Sequence, residues 1–437
     1  MVKKIALPTV VILIILLFGG MALAQEEDQV NCVQCHENRF PAIYEDWRDS
    51  LHAENDVTCA KCHQLKQGQP GAMEHYDGTY ITPVVSPNIC ARCHEKEVKE
   101  FNNSLHVKAA TFIKDFTAGK PEEDDVLGYK VEGPTAPIRG CEQCHGTKVE
   151  LDQEGKLKPL TWPNIGVGRI NPDGSKGNCS ACHTRHKFSV EEARKPENCG
   201  TCHLGPDHPQ EEIYFESKHG KIYQAEGDTW NWDVPAEQWG LDDFRSPTCA
   251  TCHMSGLGNA KATHNVSARL SWELERPLTV RTDNWEEKRA EMQSICKECH
   301  STTWVENFYI QADEAVQLYN ERYYKPSVEL YQSLIDQKLI SKEKFDEPID
   351  FLFFELWHHE GRRARMGAFM NGPDYVQWHG FYELAQAKME LENMSEEIKG
   401  MHTATTTVSK VTTNVPWVAL GVGAAALLLA FWALFKK

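Results

Sequence analysis

Cysteine and histidine recur through this sequence in one five-residue pattern. All 16 cysteines fall in the pattern Cys-x-x-Cys-His, which occurs eight times and leaves no cysteine unused. At this spacing two thiols can add to the two vinyl groups of a haem, and the adjacent histidine can bind the haem iron. The eight motifs contain Cys32, Cys35 and His36; Cys59, Cys62 and His63; Cys90, Cys93 and His94; Cys141, Cys144 and His145; Cys179, Cys182 and His183; Cys199, Cys202 and His203; Cys249, Cys252 and His253; and Cys296, Cys299 and His300.

A single motif of this kind would also fit a zinc site or a redox dithiol. Eight repeats, each followed by histidine, instead predict eight covalently bound c-type haems whose irons are bound by the motif histidines.

The remaining histidines supply candidates for the second iron ligand. The chain has 19 histidines, and 11 lie outside the motif positions. A haem that only transfers electrons commonly takes a second histidine, whereas a catalytic haem keeps one position open. Seven second ligands are predicted: His52, His75, His106, His186, His219, His264 and His379. Seven ligands for eight haems indicate that one haem lacks a histidine cap.

The sequence also allows other roles for these histidines. Any of the seven could be a surface histidine or a hydrogen-bonded core histidine, and His358 or His359 could replace one of them. His402 lies by a predicted linker and is expected to be solvated.

Asp207 and His208 form a candidate proton relay. They lie between Pro206 and Pro209, directly after the sixth motif. A carboxylate and an imidazole beside an open haem could remove protons during the oxidation of a small nitrogen or oxygen compound. The alternative is a turn in which both side chains bind the backbone or a haem propionate.

Both ends of the chain carry apolar segments. Residues 1–24 read as a signal peptide, with an uncleaved anchor as the alternative. Residues 415–435 are long enough to cross a hydrocarbon core of about 30 Å, and the two lysines that follow favour the cytoplasmic side. A buried helix is the alternative, but the Thr-rich linker at 401–414 favours an anchor. We therefore expect an extracytoplasmic domain tethered to the cytoplasmic membrane by its C-terminus.

Between these ends the composition changes once. Residues 25–300 are rich in Gly, Pro and Asn, which predicts loops and short helices around eight haems. Residues 301–400 contain apolar side chains at helical spacing, which predicts a bundle of long helices, the first kinked or broken at Pro326. No segment alternates as a strand pair would. The predicted fold class is mainly α, with much coil.

The net charge of −17 limits which molecules are expected to bind this protein. An acidic surface repels nucleic acid and anionic lipid, and it suits a basic redox partner or a small neutral or cationic substrate.

Several of these segments together resemble one family, the octahaem hydroxylamine oxidoreductases. They are the eight haem motifs, Cys-His-Leu-Gly-Pro-Asp-His-Pro-Gln at 202–210, Ser-Lys-His-Gly at 217–220, Cys-His-Met at 252–254 followed by His264, and Asp-Tyr-Val-Gln-Trp-His-Gly-Phe-Tyr-Glu at 374–383. The last five motifs also resemble pentahaem cytochrome c nitrite reductases. The resemblance covers roughly residues 30 to 400. The chain departs from it in being shorter than typical oxidative members and in its C-terminal anchor.

The resemblance implies a mainly helical protein that assembles as a homotrimer. It implies that the haem of Cys141, Cys144 and His145 is catalytic, that the other seven haems have two histidine ligands, and that Asp207 and His208 are the distal acid/base pair. In oxidative members a tyrosine of a neighbouring subunit is bonded to the catalytic haem. Tyr375 is the candidate here and Tyr382 the reserve, and helix packing is the alternative role for either.

The function expected from these features is oxidation of hydroxylamine or hydrazine, with electrons leaving through the haems to a cytochrome or a quinone-linked membrane protein. The first alternative is the reverse direction, reduction of nitrite or hydroxylamine to ammonia. The second is an electron conduit without catalysis, which would need eight histidine caps.

Overall fold

The computed structural model describes residues 32–114 and 127–413. The predicted signal peptide at 1–24 and the predicted membrane helix at 415–435 lie outside the described residues. Within the two described ranges, no helix combines the length and the apolar character needed to cross a bilayer.

The described chain is mainly helical, as predicted. In the haem-motif region, α-helices span Cys32–Arg39, Pro41–Arg48, Leu51–Glu54, Cys59–His63, Pro87–Cys90, Glu95–Phe101, Ala109–Lys114, Leu127–Glu132, Thr135–Arg139, Cys141–His145, Val190–Arg194, Pro196–Gly200, Gln210–Glu216, Lys218–Glu226, Cys249–Met254 and Trp285–Lys297. Short 3₁₀ turns span Leu105–Lys108, Cys179–Ala181 and Gly227–Thr229. Most of these helices have fewer than ten residues, in agreement with the expected loops and short helices.

Most haem motifs begin or lie within a helical turn. The helices Cys59–His63, Cys141–His145 and Cys249–Met254 each start at the first cysteine of a motif. A helical turn brings side chains three residues apart to one face, so both thiols of a motif point the same way. The local fold therefore presents the two sulfurs together.

A small sheet corrects the expectation that no strands would form. Three antiparallel strands lie in the order Gln64–Leu65, Thr79–Ile81 and Met73–Tyr76. Strands of two to four residues are too short for an alternating pattern to be visible in the sequence.

Longer helices follow His300. They span Thr302–Leu318, Lys325–Asp336, Pro348–Glu355, Gly361–Met370, Pro373–Val376 and Glu383–Thr413, with π-helical turns at Tyr319–Tyr324, Leu356–Glu360 and Gln377–Tyr382. They pack around an apolar cluster in which Leu334, Leu356, Leu384 and Leu391 are fully buried. The residues of the predicted Thr-rich linker continue the last helix as far as Thr413.

The helix predicted to be kinked or broken at Pro326 stays helical there, but a π-helical turn interrupts the regular α-helix just before the proline. The helix Thr302–Leu318 runs into the π-helical turn Tyr319–Tyr324, and a regular helix resumes at Lys325–Asp336. Proline lacks the N–H that would bind the carbonyl four residues earlier, so the regular hydrogen-bond pattern cannot pass through this position.

Candidate haem and catalytic site

Six of the seven predicted second ligands lie opposite a motif histidine. The distances between ring centroids are 6.1 Å for His75 and His36, 6.2 Å for His52 and His94, 6.2 Å for His186 and His63, 6.0 Å for His106 and His203, 6.3 Å for His264 and His183, and 6.1 Å for His219 and His300. These pairs join segments that are far apart in the sequence.

This spacing fits a haem iron between the two rings. Two imidazoles on opposite sides of one metal have centroids about 6 Å apart, because each metal–nitrogen bond is about 2 Å long and each centroid lies roughly 1 Å beyond its nitrogen. All 16 cysteines lie in the described ranges and none forms a disulfide, so every motif has two thiols for attachment. No group of three or more Cys, His, Asp or Glu side chains in those ranges is gathered as it would be around a zinc ion.

Hydrogen bonds to backbone carbonyls orient several motif histidines. Nδ1 of His63 lies 2.7 Å from the carbonyl of Thr82, and Nδ1 of His145 lies 3.2 Å from that of Ala109. A carbonyl can only accept, so Nδ1 carries the proton and Nε2 keeps a free lone pair for iron. Burial lowers the pKa of His183 to about 4, which keeps this ring in the neutral form that metals bind.

The fourth motif lies in a tightly packed segment. Gly146 follows His145 with a φ of +82°, and a Cβ there would clash with the backbone of Arg169. Glycine at this position lets the chain around Gly166 pass against the motif helix. The packing fixes the backbone from which His145 projects.

Asp207 and His208 lie beside this fourth motif. Nδ1 of His208 is 2.8 Å from Oδ2 of Asp207, and the His208 ring centroid is 5.9 Å from that of His145. The His208 ring is also 6.4 Å from the ring of His203, in the sixth motif. The pair therefore stands between the fourth and sixth motif histidines.

Positive charge keeps Asp207 ionised. Burial raises its pKa, but the hydrogen bond from Nδ1 of His208 and the positive charge of Arg362 outweigh burial and hold the pKa well below its usual range. Arg362 also donates from Nη1 to the backbone carbonyl of Asp207 at 3.3 Å. Asp207 is thus a fixed anion in contact with an imidazole.

His358, His359 and Arg362 surround the pair in a way that sequence reasoning missed. The two histidines lie on the π-helical turn Leu356–Glu360, and Asp207 acts electrostatically on both of them. The His358 ring stacks on Phe354 at 4.3 Å, and its buried Nδ1 has no hydrogen-bond partner. The only signal in the sequence was the cluster of histidine, glutamate and arginine residues at 358–363. It did not indicate that these residues lie beside Asp207.

The same π-helical turn carries a buried carboxyl group, that of Glu360. Oε2 of Glu360 is buried without a hydrogen-bond partner, and burial raises the pKa of Glu360 to about 7. Glu360 lies 4.0 Å from Arg363, whose guanidinium also bonds Glu383 at 2.6 Å.

His379 is the predicted second ligand that the structure does not bring to a motif histidine. Its Nε2 lies 3.2 Å from Asp374 and its Nδ1 lies 3.5 Å from Glu383, and half of its side chain is exposed. The π-helical turn Gln377–Tyr382 holds the ring between two carboxylates at the surface. Sequence spacing alone could not show this orientation.

The two tyrosine candidates lie in the same surface segment. The Tyr375 ring is 5.4 Å from His379, and Tyr382 is exposed and packs on Trp378 at 5.3 Å. In the described part of the chain neither tyrosine has a recorded contact with His145 or its cysteines. A link to a neighbouring subunit's haem stays a prediction.

Comparisons with known proteins agree with the motif analysis. Family profiles match for "Seven times multi-haem cytochrome CxxCH" at residues 164–348, "Cytochrome c552" at 38–122, and "Cytochrome c554 and c-prime" at 89–184. A probable nitrite reductase-hydroxylamine oxidoreductase fusion protein of Kuenenia stuttgartiensis is 28% identical over 331 residues. That match covers 62% of this chain and 34% of the relative, so the chain spans about a third of the relative's length.

Solved structures share the fold. A structure described as a hypothetical multiheme protein aligns with a TM-score of 0.75 and 26% identity, covering 85% of this chain and 96% of that one. A reducing HAO-like protein complex of Kuenenia stuttgartiensis aligns with a TM-score of 0.66 and 19% identity, covering 86% of each chain. Multihaem c-type cytochromes are typically extracytoplasmic. The repeated haem motifs and these matches make the chain similar to multihaem c-type cytochromes, and its relatives include a probable nitrite reductase-hydroxylamine oxidoreductase fusion protein.

Proposed function

We propose that this chain is an extracytoplasmic octahaem oxidoreductase for small inorganic nitrogen compounds, and that it oxidises hydroxylamine or hydrazine. The observation that carries the proposal is the Asp207 and His208 pair, 2.8 Å apart, beside His145. A similar pair, His264 and Glu100, lies beside His183, but Nδ1 of His264 is 3.8 Å from the carboxylate, too far for a hydrogen bond. The fourth motif is therefore our candidate for the catalytic haem.

When bound there, the haem would supply the iron that takes the substrate nitrogen and accepts its electrons. Oxidation of hydroxylamine also releases protons, and His208 is placed to accept them. Oδ2 of Asp207 accepts a hydrogen bond from Nδ1 of His208, which leaves Nε2 of the imidazole as the basic atom. Asp207 then stabilises the imidazolium, as a buried carboxylate does in other acid/base pairs.

Arg362 and His358 would support the Asp207 and His208 pair from the C-terminal helices. Arg362 is buried, and it holds the backbone of Asp207 and the carbonyl of Glu275 with its guanidinium. Burial lowers the pKa of His358 well below its usual range, so this ring stays neutral near neutral pH. A neutral imidazole with an unpaired Nδ1 could hold a proton or bind a polar substrate atom.

Reduction of nitrite or hydroxylamine to ammonia is the alternative direction for the same residues. The curated relative's name joins nitrite reductase with hydroxylamine oxidoreductase, so it supports either direction. In reduction His208 would deliver protons at Nε2, and the surrounding positive charge of Arg362 would favour an anionic substrate.

A conduit without catalysis is favoured by one specific distance. The His145 and His208 centroids are 5.9 Å apart, close to the spacing of the six capped pairs. If His208 binds the fourth iron directly, that haem is saturated and the acid/base role is lost.

The partners and location that we propose follow the sequence. A cleaved signal peptide at 1–24 and a membrane helix at 415–435 would place a tethered domain outside the cytoplasm, where a basic cytochrome or a quinone-linked membrane protein would take the electrons. A homotrimer would allow Tyr375 or Tyr382 of one subunit to reach the fourth haem of the next.

The test of direction uses the purified holoprotein. Steady-state assays would follow hydroxylamine-dependent reduction of an electron acceptor and, separately, nitrite-dependent oxidation of a strong donor. Faster hydroxylamine oxidation, lost in H208A and retained in the surface control D228N, supports the proposal. Turnover only in the reductive assay would overturn the direction, and no turnover in either assay would favour the conduit.

A further inference from the structure

The seventh motif differs from the other seven in its histidine surroundings. Seven motif histidines have another histidine ring opposite them at 5.9 to 6.3 Å. His253 has no such partner among the residues that the structure describes. Every one of the 19 histidines lies between His36 and His402, inside the described ranges, so no segment outside them can supply the missing ring.

The histidines left over are placed elsewhere. His358 and His359 lie on the turn that faces Asp207. His379 is at the surface between Asp374 and Glu383, and His402 is exposed near the end of the last helix.

His106 is the strongest candidate for an alternative partner. The electrostatic effect of His253 is one of the causes that lower the pKa of His106, so the two rings are near each other. However, the ring of His106 lies 6.0 Å from His203, and the Nε2 of one imidazole binds one iron. If His106 caps the sixth haem, it cannot cap the seventh.

The seventh motif itself is firmly built. Nδ1 of His253 lies 3.2 Å from the carbonyl of Val266, which directs Nε2 to the haem side. Thr248 and Thr251 form a reciprocal cap at the start of the motif helix. The fully buried Arg269 donates to the carbonyls of Cys252 at 2.8 Å and Ser255 at 2.6 Å. The absence of a second histidine therefore does not come from a loosely held motif.

We propose that the haem of Cys249, Cys252 and His253 has no histidine as its sixth ligand, and that this position takes a small exogenous ligand such as carbon monoxide or cyanide. The inference is independent of the proposed function, because it holds whether His208 caps the fourth haem or stands over it. The chain would then bind small ligands at a second haem, the seventh, besides any that bind at the fourth.

The test compares two proximal variants, H253G and the matched control H203G. Near-infrared magnetic circular dichroism of the oxidised holoprotein counts haems with two histidine ligands, and a pyridine haemochrome assay counts total haem. We expect H203G to lower the bis-histidine count by one and H253G to leave it unchanged. This comparison stays valid if a substitution prevents haem attachment, because the total then falls by one in both variants.

Carbon monoxide binding to the reduced protein gives the second readout. In the wild type the seventh haem should bind carbon monoxide, and H253G should change or remove the absorption band of that ferrous haem–carbon monoxide complex, with or without H208A. The inference is overturned if H253G lowers the bis-histidine count, which would assign His106 to the seventh haem. It is also overturned if magnetic circular dichroism shows a band of a haem with a methionine ligand and H253G removes that band. A methionine would then fill the sixth position of the seventh haem.

Discussion

Nδ1 of His208 donates to Oδ2 of Asp207 over 2.8 Å, and the backbone of the same aspartate is held by Arg362 from 155 residues further along the chain. The hydrogen bond fixes which ring nitrogen of His208 is basic, and the arginine fixes where the carboxylate stands. The pair is thereby oriented by the C-terminal helices, although it lies in the haem-motif region.

Substitution of either partner should separate catalysis from haem binding. H208A removes the base, and D207N removes the anion that stabilises the imidazolium, so both should lower turnover by about 100-fold or more with total haem unchanged. Haem content and steady-state rates check this, with D228N as an exposed control. Loss of one low-spin haem in H208A would instead identify His208 as an axial ligand.

The two histidines His219 and His379 should respond differently to removal. His219 lies 6.1 Å from His300, whereas His379 bonds only to Asp374 and Glu383 in the described residues. H219A should therefore convert one low-spin haem to a high-spin or ligand-accepting form, and H379A should leave the low-spin count unchanged. Electron paramagnetic resonance of the oxidised proteins measures both. Loss of a low-spin haem in H379A would show that His379 is a second ligand after all.

Glu360 should make stability depend on pH near neutrality. Burial raises its folded-state pKa to about 7, above the ordinary 4.5. A raised folded pKa means that its contribution to the free energy of unfolding is fully present below the unfolded pKa and is lost as the pH rises through about 7. The wild type should therefore lose stability between about pH 5 and about pH 8, on the order of 2 kcal/mol.

E360Q keeps a neutral side chain at every pH, so this loss should be absent, and E397Q on the exposed face of the last helix should behave as the wild type. Denaturant unfolding of the holoprotein at each pH measures the difference. An equal pH slope in wild type and E360Q would show that Glu360 stays ionised when folded.

A tyrosine link to haem would decide the direction of catalysis. By resemblance, oxidative enzymes carry a bond between the catalytic haem and a tyrosine of the adjacent subunit. We expect the peptide of Tyr375, or of Tyr382, to remain attached to the haem peptide of Cys141 and Cys144 after digestion, as detected by mass spectrometry. Y375F should release it. Both tyrosine peptides found free, in protein that reduces nitrite, would point to the reductive direction.

Covalent chemistry made the haem motifs visible in the sequence, and six of the histidines predicted as second ligands lie opposite a motif histidine. Cysteine spacing is set by the haem itself, so it is visible without a fold. The π-helical interruption before Pro326 is equally local, because proline lacks an N–H. The approach of His358 and Arg362 to Asp207 depends on contacts across about 150 residues, which no local pattern encodes.

Two histidines show the limit most clearly. His379 matched a ligand-like segment, yet the π-helical turn and its flanking carboxylates turn the ring to the surface. The count of one uncapped haem assumed that His379 is a ligand, and the motif histidine that has no histidine ring opposite it, His253, could be identified only from the positions of all 19 rings. The three strands were missed because strands of two to four residues are too short for an alternating pattern to be recognised.

The most direct test of the central claim is a ligand titration of the oxidised holoprotein followed by electron paramagnetic resonance. With the fourth haem open beside Asp207 and His208, part of a minority high-spin signal should come from that haem. The change that hydroxylamine or nitrite causes in this part should persist in H253G, where the seventh haem is altered, and should be lost in H145G. Eight low-spin haems with no response to either compound would contradict the account.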